Sequence, residues 1–176
     1  MGVREIKHEL NNYEKDKLVH MLVDLYKKNK FVKEYLNHFV KLDENKLFVL
    51  YQSKLSEELY PSTHRKYNLN KAQSVLSEFK KFNPSPEYLA EIHLYYIEVA
   101  IQFVRDKYYF CDRLAENMEK KFEEAYKIIL KEHLPYKNYA EKIEEILTKS
   151  HDLGWNIDKK LKKIHENSLE ILSKHI

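Results

Sequence analysis

The side chains able to do chemistry are nine histidines, one cysteine and 28 carboxylates, and their spacing decides whether they can act together. A di-iron site in a helical bundle needs two Glu-x-x-His pairs that face each other, plus two further glutamates. Here Glu5 and His8 form one such pair near the start of the chain, and no His-Glu-x-x-His stretch occurs. His151-Asp152 has the form of the dyad that opens a metal-dependent phosphohydrolase site on a helical scaffold. Only 24 residues follow it, too few to deliver the remaining ligands, so a helix end is the expectation there. A helical nuclease motif of arginine followed by histidine across four to six residues also fails. Arg4 and His8 are separated by three residues, and Arg65, Arg105 and Arg113 have no following histidine in range. Cys111, in YYFCDR, has no base beside it and reads as a buried structural thiol. His93, near Glu91 and Glu98, reads as a satisfied core histidine rather than a ligand. The expectation is no catalytic residue, no metal and no cofactor, hence not an enzyme; a small helical nuclease or phosphohydrolase is the enzymatic alternative.

The remaining chemistry is charge. Lys27, Lys28, Lys30 and Lys33 form one basic cluster, and His64, Arg65, Lys66 and Lys71 a second, with Tyr26 and Tyr67 close by in sequence. Cations interleaved with aromatics suit phosphate or RNA contact. Residues 1–85 carry 16 Lys and Arg against 11 Asp and Glu, whereas 86–176 carry 15 against 17, so the mild excess sits in the first half. That imbalance is far below the charge of dedicated nucleic-acid binders, which makes nucleic acid a secondary partner. Lys159, Lys160, Lys162 and Lys163 lie opposite an apolar stripe and read as a solvated helix face.

The elements that must position these groups are helices. Gly2 and Gly154 are the only glycines, which removes phosphate-cradling loops, nucleophile elbows and tight hairpins together. Apolar residues recur at helical spacing nearly throughout. Leu18, Met21, Leu22, Leu25 and Tyr26 form one face, continued by Val32, Tyr35, Leu36 and Phe39; Leu47, Leu50, Tyr51 and Leu55 form another. Ala115, Met118, Phe122, Ala125, Ile129 and Leu130 make the cleanest stripe. In 86–104 the polar residues shrink to Glu87, Glu91, Glu98 and Gln102 at one angle, the pattern of a buried helix, with Leu94, Ile97, Val99 and Phe103 among its core residues. Tyr60-Pro61 and Leu134-Pro135 predict stops, and Ser85-Pro86-Glu87 predicts a start with proline at the first helical position. Asn70 with Gln73 predicts a capping box, and Gly154 in Leu153-Gly154-Trp155 a helix-closing glycine.

The fold class is therefore all-α: a single compact multi-helix domain over 1–176, with seven or eight helices around a buried central helix at about 86–104 and no strand. No apolar run is long enough to span a membrane, the first residues lack a signal-peptide core, and the lone cysteine suits a reducing compartment. A cytoplasmic location follows as the expectation.

Four stretches also carry a resemblance: LYKKNKFVKEYL at 25–36, YPSTHRKYNLNKAQSVLSEFKKF at 60–82, LYYIEVAIQF at 94–103 and LGW at 153–155. Together they resemble an uncharacterised bacterial family of unknown function, which implies an all-helical cytoplasmic protein and no catalytic residues. The chain also resembles, more loosely, small dimeric accessory proteins encoded beside Cas9-type RNA-guided nucleases of antiphage immunity. That resemblance implies a helical accessory protein that docks on a larger bacterial protein or ribonucleoprotein and modulates it. Fourteen tyrosines suit such a role, because tyrosine offers large contact area with one hydrogen bond. A homodimer is expected, with Leu161, Ile164, Leu169 and Leu172 of the last helix as its seam.

Overall fold

Helix boundaries follow the residues that cannot continue a helix or that satisfy its ends. A computed structural model of the chain describes residues 2–41, 43–62, 66–109 and 111–173, excluding the side chains of 38–41. Among the described residues there are nine α-helices, one 3-10 turn at Tyr136–Asn138, and no strand. The nine exceed the expected seven or eight. The contacts also divide the chain, read from sequence as one domain, into two compact units, Met1–Asp43 and Glu44–Ile176, each taken by itself.

The first unit holds α1 (Val3–Asn11), α2 (Lys15–Lys28) and α3 (Lys30–Lys41). Asn29 is extended between α2 and α3, and its side chain accepts from the Val32 N–H, so the chain folds back as a helical hairpin. Tyr26 ties the hairpin by donating to Asn37 Oδ1 at 3.1 Å. The apolar stripe expected to be buried here is not: α1 and α2 contain no buried residue. Two short helices cannot cover a stripe as wide as that of α2, and α3 shields only part of it.

The second unit is built on α6 (Pro86–Lys107), the expected central helix, extended three residues past 104. Ser85 takes the N-cap position and Pro86 the first turn, where a missing N–H is harmless. Tyr108 ends the helix at φ 51°, its N–H donating to Val104 O. Around α6 pack α4 (Glu44–Leu59), α7 (Asp112–Lys131) and α8 (Ala140–Lys149), while α5 (Leu69–Lys80) lies on α4 and α9 (Ile157–Ser173) on α7. Leu94, Ile97, Val99 and Phe103 are buried as expected, as are Tyr51, Leu55, Phe79, Met118, Phe122 and Ile129. Small residues at Ala90, Ala100, Ala115 and Ala125 keep these helices close.

Three local expectations shift. The cap of α5 is Asn68, not Asn70: its side chain accepts from Lys71 N at 3.0 Å and starts the helix two residues early. Leu50 is exposed while Leu59 is buried, because the core stripe of α4 runs Leu47, Tyr51, Leu55, Leu59 at near four-residue spacing. Gly154 does not close α8, which stops at Lys149. The backbone instead turns through Asp152 (φ 62°), Gly154 (φ 95°), Trp155 (φ 52°) and Asn156 (φ 53°) before α9 begins.

Candidate functional site

That loop borders a groove of the second unit. The C-terminal end of α6 supplies Val104, Arg105 and Tyr108; the end of α8 supplies Leu147 and Thr148; the loop adds His151, Asp152, Leu153 and Trp155. They enclose about 960 Å³. Tyr108 is 95% exposed and Trp155 47% exposed. Both stand on left-handed backbone, where a bulky residue is strained and a glycine would not be. Such strain persists only where surrounding contacts enforce it, and it concentrates at ligand clamps and switch segments. The contacts are visible here: Trp155 Nε1 donates to Asp112 Oδ1 at the start of α7, and Arg105 Nε and Nη2 both donate to Lys149 O, at 3.1 and 2.9 Å. His151 Nδ1 lies 2.8 Å from Asp152 Oδ2 on the exposed rim, so the dyad is a contact within the loop beyond the end of α8. Trp, Tyr and Arg are the side chains that dominate protein interfaces. All three meet in this groove.

The basic clusters end up on different units. Lys27, Lys28, Lys30 and Lys33 are exposed on the hairpin; Lys28 pairs with Asp24 at 2.7 Å, and Lys33 Nζ sits 5.7 Å over the Tyr26 ring. Lys66 and Lys71 are exposed at the start of α5. His64 and Arg65 lie outside the described residues. Lys66 lines a second groove, of about 600 Å³, with Tyr67, Phe103, Tyr109, Cys111 and Arg113. There Tyr67 Oη is 3.6 Å from Cys111 Sγ, and Arg113 donates to Asn70 Oδ1. Cys111 is half-buried rather than buried, because it serves as the N-cap residue of α7 at the domain surface.

The residues expected as a dimer seam on α9 differ in exposure. Leu161 is fully buried, since α9 packs its stripe of Ile157 and Leu161 on its own unit. Ile164 and Leu172 are half-buried and Leu169 is exposed. The tyrosine surplus also has a core component: Tyr51, Tyr96, Tyr126 and Tyr139 are all buried.

Two buried polar groups were invisible to sequence spacing. His93 is buried but not satisfied, as neither ring nitrogen has a hydrogen-bond partner among the described residues. Its Nδ1 approaches Glu124 Oε2 at 3.3 Å in a misaligned contact. Burial, only partly opposed by Glu124, drives the imidazole down to about 3, so it stays neutral. Glu124 is claimed instead by Lys121, a buried lysine 2.9 Å away. Burial pushes the Glu124 carboxyl up, but the Lys121 hydrogen bond and neighbouring positive charge outweigh it and hold it low. The second group is Tyr126 and His165. Burial raises the phenol well above its usual value; Tyr126 Oη and His165 Nδ1 are hydrogen-bonded at 2.5 Å, and His165 Nε2 lies 3.7 Å from Glu144 Oε1. Among the described residues no three His, Cys, Asp or Glu side chains are placed to hold a metal, and no helix is long and apolar enough to cross a membrane.

Compared with known proteins, the chain matches the family of unknown function DUF6155 over residues 1–169, and so belongs to it. No curated protein and no solved structure matches it.

Proposed function

We propose that this DUF6155 protein is a non-enzymatic helical interaction protein, which seats a larger protein or ribonucleoprotein in the Tyr108–Trp155 groove and modulates it. The observation that carries the reading is the presentation of two large aromatics beside Arg105 on strained backbone. Folding energy is spent holding Trp155 at φ 52° while the residue stays 47% exposed. A partner side chain inserted between Tyr108 and Trp155 recovers the apolar burial these rings forgo. A Cas9-type nuclease complex is one partner of the stated kind.

The test is purification of the tagged protein from its native host beside Trp155→Ala and Tyr108→Ala variants. The expected result is one co-purifying partner with the wild type, lost with both variants while their melting temperatures hold. A partner retained by both variants removes the groove; wild type that isolates alone removes the interaction reading. The alternative is nucleic-acid contact, favoured by the exposure of Lys27, Lys28, Lys30, Lys33, Lys66 and Lys71. It requires tight binding of a short RNA at physiological salt, with affinity falling steeply as salt rises and lost on charge reversal of these lysines.

A further inference from the structure

We propose that the groove framed by Lys66, Tyr109 and Arg113 is a mononucleotide-binding site, in which a base stacks on Tyr109 and the phosphate is held by Lys66 and Arg113. The site goes beyond partner docking, since it shares no lining residue with the Tyr108–Trp155 groove. Its volume of about 600 Å³ falls among small-molecule sites, which run from about 300 to 1,000 Å³. The polar side chains that line it are poised to donate. Lys66 and Arg113 are exposed, and neither meets a carboxylate among the described residues. No Asp or Glu is among the described residues that line the groove. Asp112, next to Arg113 in sequence, is engaged elsewhere, accepting from Trp155 Nε1. Arg113 spends one Nη2 on Asn70 Oδ1 and keeps its other donors. The Asn68 Oδ1 atom is taken by the Lys71 N–H, so both lining amides are left with their NH2 groups to offer. Tyr67 adds no negative charge, because burial first, then bonding to Tyr109 and Cys111, holds its phenol above the usual value. Leu69 and Asn70 begin α5 and Arg113 begins α7, so two helix ends add partial positive charge to that of the side chains.

A wall of unpaired donors calls for an anionic ligand rich in acceptors, and phosphate is the group that such cations hold best. The rings say what the phosphate is attached to. Tyr67 packs on Phe103 with centroids 5.0 Å apart and on Tyr109 at 5.6 Å, while Phe103 and Tyr109 are 6.5 Å apart. The three rings touch, so no base slips between them. They instead fix Tyr109, which stays 49% exposed above the buried Phe103. A fixed ring with an open face is a stacking platform for a planar heterocycle. Inorganic phosphate would leave that ring unused, and an apolar peptide would leave two cations unpaired against it. A nucleotide uses both halves of the groove.

Calorimetric titration of the full chain with AMP, GMP, CMP and UMP is expected to show binding of at least one of them at a single site per chain. Adenosine, guanosine, cytidine or uridine without phosphate, and ribose 5-phosphate without a base, should each bind about tenfold more weakly or worse. Arg113→Gln and Tyr109→Ala should each weaken the nucleotide by about tenfold, with Tyr109→Phe binding as the wild type does. Arg113 is exposed, so its replacement leaves the fold intact and keeps the test open even where Tyr109→Ala unfolds. Cys111, the chain's sole cysteine, lines the groove and gives a second readout. Saturating nucleotide should slow its alkylation by a maleimide in the wild type and not in Arg113→Gln. No binding of any mononucleotide at millimolar concentration would overturn the proposal, even where a short RNA binds. So would inorganic phosphate or ribose 5-phosphate binding as tightly as the nucleotide, or an affinity unchanged in Arg113→Gln. Trp155→Ala should bind nucleotide as the wild type does while losing the co-purifying partner, which separates this site from the docking groove.

Discussion

Replacing His93 with leucine should stabilise the second unit and flatten its pH dependence. The imidazole is wholly buried on α6, and neither nitrogen is hydrogen-bonded among the described residues. Removing two orphaned polar atoms is worth about 1–3 kcal/mol. The slightly larger leucine returns up to ~1.5 kcal/mol as imperfect packing. Near pH 8 a modest net gain of about 1 kcal/mol is therefore expected. The pH profile is the sharper test. Burial lowers the folded-state value to about 3 from an ordinary 6.5. The unfolded chain then takes up a proton below about pH 6.5 that the folded protein refuses until about pH 3. The stability tied to neutral His93 is present above that upper value and lost as pH falls through the window. Linkage makes the loss about 2 kcal/mol by pH 5 relative to pH 8. The wild type should lose that much more than His93→Leu between these two pH values, measured by urea unfolding followed in far-UV circular dichroism. Parallel profiles would refute the claim that His93 is held neutral by burial, and a less stable variant near pH 8 would mean the ring has a partner after all.

Glu124→Ala strands the buried Lys121 ammonium and should cost ~3 kcal/mol in the same unfolding assay; a cost below about 1 kcal/mol would mean the lysine tip escapes to water. Tyr126→Phe removes the hydrogen bond to His165 and should cost about 1 kcal/mol, with a double-mutant cycle against His165→Phe showing coupling of similar size. Val99→Asp puts a charge without a partner on the buried side of α6 and should lower stability by about 3 kcal/mol or more, read as an early thermal transition; an unshifted melt would contradict the central position of that helix.

Much of the architecture was legible because it is local. A 3.6-residue period, a proline at the first helical position and a stop before Pro61 or Pro135 act over a few residues, so they predicted the helices and the buried α6 without any knowledge of neighbours. The loop at 151–156 was legible only in part: Asn156 is a residue that tolerates left-handed backbone, but a tryptophan at φ 52° is contrary to local preference and needs Asp112, 43 positions away, to hold it. The same limit applies to burial. Leu161 and Leu25 are both leucines on amphipathic helices, yet α7 covers one and nothing in its own hairpin fully covers the other. His93 and His151 are both flanked by carboxylates in sequence, and only packing made the first a neutral core residue and the second a groove rim. Periodicity records which face of a helix avoids water. What lies against that face, and whether a polar atom there finds a partner, is decided where distant segments meet.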